Sequence, residues 1–329
     1  MKISIITPSY NQGQFIEETI LSVLNQKYHN LEFIIIDGGS TDQTVEIIKK
    51  YQDKITYWVS EEDNGQTHAI NKGFQKATGE IITWINSDDL LIPDSLNKIN
   101  AHFKNDENLK CLFGQWIEFD EQGDRPLRIF KQPTLCEWLY TSPYAQPSTY
   151  YKRSLLKDIG YLNEELHFSM DNDFFKRIIL SNVKYKYVDE FYSKFRWHST
   201  SKSSNLMELC RQNDKLIYIT ILESYKSSIS QKLITFIKEI GLYQQPTTTY
   251  QINIQINNDD LIVSFIHYIS FYIGRWYNEG NYNKVAKSFF FIKEIGALPL
   301  MKKLPLNTIF IRHKYVPHSL INLVRKFTR

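Results

Sequence analysis

Two adjacent carboxylates, Asp88-Asp89, follow the apolar run Ile81–Ile85 with only Asn86-Ser87 between. Neighbouring carboxylates repel unless a cation or hydrogen-bond donors compensate. Mg²⁺ and Mn²⁺ favour oxygen ligands, and Mg²⁺ commonly bridges one or two carboxylates to substrate phosphates. The competing reading is a solvated turn that caps the helix opened by Pro93. A second acid, Asp37, ends the run Phe33–Ile36 beside Gly38-Gly39, where backbone can approach a ligand closely. Such an acid can accept hydrogen bonds from a base or ribose, although Asp-Gly is also ordinary turn chemistry. Asp63-Asn64-Gly65 carries the same two readings. Asp171 and Asp173 lie at the start of the predicted helix Met170–Leu180. An acid there gains about 0.3–1 kcal/mol from the helix dipole, yet only one is needed for that, and a carboxylate so placed can serve as a general base. His198 closes the run Phe191–Trp197, and its imidazole could complete a metal site or contact a diphosphate.

These residues need elements to hold them. Ile3–Thr7, Phe33–Ile36, Ile55–Val59 and Ile81–Ile85 read as strands. Between them Phe15–Leu24, a segment capped by Ser40 that contains Val45, Ile47 and Ile48, and Gln66–Lys76 read as helices. Strands alternating with helices, the strands being continuous apolar runs, predict an α/β sheet covered on both faces. Ligands of such sheets bind beyond the carboxyl ends of the strands, where Pro8-Ser9-Tyr10, Asp37-Gly38-Gly39, Glu61-Glu62-Asp63 and Asn86–Asp89 all fall. After Cys111 the pattern is α+β: a strand over Leu112–Phe119, a turn at Asp120–Asp124, and strands over Val183–Val188 and Phe191–Trp197. From Leu206 helical patterns dominate, with an αα-hairpin of Ser264–Asn278 and Asn281–Ile295 turning at Glu279-Gly280.

The order and spacing of short motifs resemble the family 2 glycosyltransferases. The opening carries Thr7-Pro8-Ser9-Tyr10-Asn11, Ile20–Gln26 and Asp37–Thr44. Asp63–Gln66, Ala69–Gly73, Gly79–Ile82 and Asn86–Asp89 follow. Gln146-Pro147-Ser148, Met170–Phe174, and Arg196-Trp197-His198 with Lys202-Ser203 complete the series over about residues 1–205. The resemblance implies a GT-A fold, a Rossmann-like mixed sheet with helices on both faces, and inverting transfer from a nucleotide-sugar. It divides the chain into a glycosyltransferase domain over 1–205, with a nucleotide-sugar half to about 110 and an acceptor half over 111–205, and a mainly helical appendage over 206–329. It implies that Pro8, Tyr10, Asp37 and Lys72 surround the nucleotide, with Asp63 at the same edge. Asp88 lies near the ribose, and Asp89, with His198, meets a Mn²⁺ or Mg²⁺ ion. Asp171 matches the catalytic base. The usual Glu-Asp pair is here Met170-Asp171, which leaves Asp173 as the alternative base or a substrate contact. By the same analogy a UDP-sugar is the expected donor, since an acid at Asp37 suits uracil, and the acceptor is a hydroxyl of a glycan or lipid-linked glycan in cell-surface polysaccharide synthesis.

Other classes fit less well. A nucleotidyltransferase favours a basic, Gly-rich loop after the first strand, and Pro8–Gly13 has no basic residue. A dehydrogenase requires Gly-x-Gly-x-x-Gly there, and it is absent. A non-catalytic sugar-binding protein has no need of the retained acids. The net charge of +3 gives no global electrostatic case for nucleic acid. Three scattered cysteines, Cys111, Cys136 and Cys210, fit a reducing cytoplasm, and no run suggests a signal peptide or spanning helix. From Ile295 onward there are basic residues (Lys302, Lys303, Arg312, Lys314, Arg325, Lys326, Arg329) and no acids, which would suit peripheral contact with the inner face of a membrane.

Overall fold

In this computed structural model, residues 1–126, 129, 131–166, 168–198, 207–301 and 309–311 are described. The nine strands among them are β1 (Ile3–Ser9), β2 (Leu31–Asp37), β3 (Tyr57–Ser60), β4 (Ile81–Trp84), β5 (Leu90–Leu91), β6 (Cys111–Asp120), β7 (Gly123–Asp124), β8 (Thr149–Lys152) and β9 (Tyr185–Arg196). They form one mixed sheet in the order β3-β2-β1-β4-β8-β6-β9-β5, with β7 on β6. β1 to β4 run parallel, β8 is antiparallel to β4 and β6, and β9 is parallel to β6.

Every residue of β1 is buried. Its odd positions, Ile3 and Ile5, share a core with Phe33 and Ile35 of β2. Ile16, Ile20 and Val23 of α1 (Ile16–Leu24), Ile48 of α2 (Thr44–Lys50) and Leu96, Ile99 and Phe103 of α4 (Ser95–Asn105) complete it. On the other face α3 (Gln66–Lys76) and α7 (Met170–Leu180) bring Phe74, Phe174 and Phe175 to Trp84, with Phe175 stacked on the indole at 5.9 Å. Burial on both faces is what the continuous apolar runs require. α3 packs so closely that a Cβ at Gly73 would run into the Ile6 side chain. Gly73→Ala is therefore expected to destabilise the fold by about 1–3 kcal/mol through overpacking. Equilibrium denaturation checks this; an unchanged midpoint would mean that α3 is free to shift.

Two local expectations differ from what is seen. Ser40 does not cap α2, which begins at Thr44 with no side-chain cap. Its hydroxyl donates instead to Asp37 Oδ1 at 2.5 Å. The two strands expected over 183–197 are a single one, β9, because a register irregularity against β6 around Gln115 absorbs the break in pattern at Asp189-Glu190.

The chain divides into two compact units. One comprises Met1–Gln132, Ser142–Ile217 and Gln251–Gln255; the other comprises Pro133–Thr141, Tyr218–Tyr250 and the chain from Ile256 onward. The helix α8 (Met207–Tyr225) contributes residues to both. The second unit contains α5 (Leu135–Tyr140), closed by a Thr134/Glu137 capping box, and the helices Ser228–Glu239, Asn258–Glu279 and Tyr282–Glu294. The last two form the expected αα-hairpin, turned by Gly280 at φ 80°, and Phe236 stacks on Phe291 at 4.1 Å in their core. No described helix is long and apolar enough to cross a membrane. Lys202, Ser203 and the basic residues Lys302, Lys303, Arg312, Lys314, Arg325, Lys326 and Arg329 lie outside the described residues.

Candidate active site

The carboxyl ends of β1, β2 and β3 are tied together by backbone hydrogen bonds, Gly38 N–H to Ser9 O at 2.9 Å and Glu61 N–H to Asp37 O at 3.0 Å. Asp37 is fully buried. Its carboxylate accepts from Ser40 N (2.9 Å), Gly39 N (3.2 Å), Ser40 Oγ (2.5 Å) and Ser60 Oγ (2.6 Å). Asp37 thus shapes the turn after β2 and holds the end of β3, and three of its four donors crowd onto Oδ2. A direct base contact would have to use what remains of Oδ1. Asp63 accepts from Gly65 N at 2.7 Å, and a Cβ at Gly38 would lie 2.9 Å from Asp63 Oδ2, so a side chain there would have to displace the Asp63 carboxylate. Pro8 is buried in β1, paired with Ile36, whereas Tyr10 just beyond is 61% exposed, the open aromatic face at this edge. Lys72, on α3, is paired with Glu61 at the end of β3.

Asp88 and Asp89 part company. Asp89 is 1% exposed, and both its oxygens are engaged: Oδ1 by the Arg196 backbone N–H at 3.0 Å, Oδ2 by Asn86 Nδ2 at 3.3 Å. Burial, then the neighbouring Asp88 charge, push its pKa up; the Arg196 and Asn86 hydrogen bonds oppose them. Asp88 keeps 23% of its side chain exposed, and its Oδ2 lies 3.0 Å from His198 Nε2. The Asp89 carboxylate thus faces inward to the Arg196 N–H and Asn86, and Asp88 is the one that meets His198.

The fold explains the meeting. β5 follows directly on Asp89 and pairs antiparallel with β9, Leu90 opposite Lys194 and Leu91 opposite Ser193. That register carries Arg196 over the turn and His198 to Asp88. Arg196 locks it, its Nε donating to Asp88 O at 2.8 Å and its Nη2 to Glu18 on α1 at 2.7 Å. Phe15 packs against the His198 ring at 4.6 Å between centroids. Phe15 and Glu18 were not singled out from the sequence, where they look like the start of any amphipathic helix. Among the described residues no group of three His, Cys, Asp or Glu side chains could hold a metal. The donor set is one carboxylate and one imidazole, and it suits a hard or borderline cation that also takes oxygens from a diphosphate.

Asp171 and Asp173 begin α7, on the other face of the sheet, and they differ as sharply. Asp173 is 3% exposed and accepts from Arg177 Nε and Nη2, each at 2.9 Å. Arg177 also donates to the Ile159 and Tyr161 carbonyls, fastening α7 to the loop after α6 (Leu155–Ile159). Asp173 is thus engaged in a buried ion pair with Arg177. Asp171 is half-buried, with Oδ1 accepting from Asn172 N at 2.9 Å. Burial pushes its pKa up and nearby Asp214 adds to this, while the Asn172 N–H and a hydrogen bond from the Tyr144 hydroxyl pull it down. The segment leading into α7 is tied to α3: Asn71 exchanges hydrogen bonds with Leu162 N and O, and Thr67 Oγ1 donates to Leu166 O.

A mixed sheet with helices on both faces and an acid–histidine pair beyond its parallel strands fits the GT-A type of fold. Residues 4–160 match glycosyl transferase family 2, and over that stretch the chain is a family 2 glycosyltransferase. It is 27% identical over 237 residues to an uncharacterized glycosyltransferase of Methanocaldococcus jannaschii, an alignment covering 68% of this chain and 80% of the relative. It is 39% identical over 99 residues to TuaG of Bacillus subtilis, a glycosyltransferase named for teichuronic acid biosynthesis, covering 29% of this chain and 39% of the relative. The structure of S. aureus TarS 1–349 in complex with UDP-GlcNAc aligns with a TM-score of 0.59 at 21% identity, covering 89% of this chain and 81% of TarS 1–349. At that identity the likeness is one of fold.

Proposed function

We propose that this enzyme is an inverting glycosyltransferase that moves a sugar from a UDP-sugar to a glycan hydroxyl in cell-surface polysaccharide synthesis, with Asp88 and His198 holding Mn²⁺ or Mg²⁺. The observation that carries this reading is the contact of Asp88 with His198 beyond the parallel strands. These residues are far apart in sequence, and the β5–β9 register brings them together at the edge where ligands of such sheets bind. TuaG and the UDP-GlcNAc complex of TarS support the glycan class and the donor class by similarity.

When bound, the cation would offset the charge that grows on the leaving diphosphate. Tyr10 offers its exposed ring to the nucleoside, and Asp37, Asp63 and Lys72 fix the loops around it. Asp171 accepts the proton of the acceptor hydroxyl as that oxygen bonds to the anomeric carbon. The bond from that carbon to the diphosphate oxygen breaks on the opposite side, so configuration inverts. Tyr144, whose hydroxyl is held protonated mainly by burial, donates to the Asp171 carboxylate and aims it.

The test is a thermal-shift screen of UDP-, GDP- and TDP-sugars with and without Mn²⁺, followed by NMR of the product from the best donor. Stabilisation by UDP-sugars that depends on Mn²⁺, and a product of inverted anomeric configuration, are expected. Preference for another nucleoside would sink the donor assignment, and retained configuration would sink the mechanism.

A further inference from the structure

The matched family segment ends at residue 160, yet the surroundings of Asp171 are completed from α8. Two consecutive α8 residues grip the start of α7. Asn213 Nδ2 donates to Phe168 O at 2.7 Å, and Asp214 Oδ1 accepts from Asn172 Nδ2 at 2.8 Å. Asn172 is 3% exposed and directly follows Asp171. All four residues belong to the first compact unit. We propose that Asp214 is the positioning carboxylate of the base: it anchors the residue beside Asp171 and sets a second negative charge near it. This rests on Asp171 being the base. It also accounts for Met170, which stands where the resembled family carries the first acid of a Glu-Asp pair: here the partner charge arrives from a later helix.

The groups facing Asp171 are Tyr144 from the segment before β8, Asp214 and Cys210 from α8, and Lys176 from α7 itself. The Asp173–Arg177 pair on α7 is internally compensated. Lys176 is 4% exposed; burial lowers its pKa to about 8, while Asp214, Asp173 and Asp171 each oppose that shift. The base therefore has a second carboxylate among its neighbours, and the buried Lys176 ammonium is supported by both charges. A negative neighbour raises the proton affinity of a carboxylate, and a positive one lowers it.

Opposite shifts follow for the acid limb of the kcat profile. Asp214→Asn keeps an oxygen for Asn172 Nδ2 but removes the charge. Its limb is expected to move to lower pH by about half to one unit. Plateau kcat is expected to fall about threefold as the base weakens, with donor KM unchanged. Asp214→Glu keeps the charge and the wild-type limb. Lys176→Met moves the limb to higher pH, and it tests the same charge balance if Asp214→Asn does not fold. An unmoved limb in a folded Asp214→Asn or Lys176→Met enzyme, with Asp171→Asn inactive, overturns the positioning role. Turnover retained in Asp171→Asn would instead overturn the base assignment beneath it.

Discussion

Asp171→Asn is expected to lower turnover by about 10²–10⁴, the usual worth of a positioned general base, while leaving affinity for the nucleotide-sugar unchanged. The amide is isosteric and still accepts the Asn172 N–H that holds the side chain. What it loses is the capacity to take a proton. The stability consequence has a definite sign. The folded protein raises the pKa of Asp171, chiefly by burial. A carboxyl raised in this way supports the fold below its unfolded pKa and loses that contribution as pH rises through the folded value. At neutral pH the charged side chain is thus a burden on the fold, and the Asn variant should melt no lower than wild type. Asp173→Asn should behave the opposite way. It leaves the Arg177 guanidinium buried without its countercharge, at a cost of about 3–5 kcal/mol, while the folded fraction retains turnover. Single-turnover kinetics beside thermal melts separate the two. Near-wild-type transfer by Asp171→Asn, with loss in a folded Asp173→Asn, would reverse the assignment.

The parallel half of the sheet was legible because β1, β2 and β4 are buried on both faces and must be written as unbroken apolar runs, as Ile3–Thr7 and Ile81–Ile85 are; β3, at the edge, has no buried residue. The carboxyl-end loops followed from the same reading, since topology alone places them on one edge. What sequence could not resolve was the direction of side chains within a turn. Asp88 and Asp89 are chemically identical neighbours, and only the pairing of β5 with β9 decides which one turns inward to the Arg196 N–H. The same holds for Asp171 and Asp173: the i,i+4 spacing of Asp173 and Arg177 was a readable signal for an ion pair, but it does not reveal that the pair is buried. Ser40 has the pattern of a cap by its position before a helical run, but the buried Asp37 carboxylate offers a stronger acceptor for its hydroxyl. Asp214 left no signal, since Asn213-Asp214 in a weakly patterned helix looks like a solvated face.

Asp88→Ala should abolish the dependence of UDP binding on Mn²⁺ with little change in melting temperature. Its carboxylate is part-exposed and reaches His198 across a part-buried contact, so its removal costs less than that of a fully buried carboxylate. With one of two candidate ligands gone, calorimetric affinity for UDP in Mn²⁺ should fall at least about tenfold, to the value measured in chelator, because the metal commonly ties carboxylate to phosphate. Transfer should be lost in parallel. Asp89→Ala should show the reverse pattern. It leaves the Arg196 N–H and the Asn86 amide without an acceptor inside the protein, at about 1–3 kcal/mol for each stranded donor. Its first symptom should be a lowered melting temperature, and its effect on UDP binding should come through loosening of the β5–β9 register that brings His198 to Asp88. Asp89→Asn, which retains an acceptor for the Arg196 N–H, should recover part of the stability. On the proposed reading the two positions divide as ligand and scaffold. If Asp88→Ala retained the full Mn²⁺ effect while a stably folded Asp89→Ala lost it, the inward-facing carboxylate would have to turn outward to meet the ion, and the roles read from the turn geometry would be exchanged.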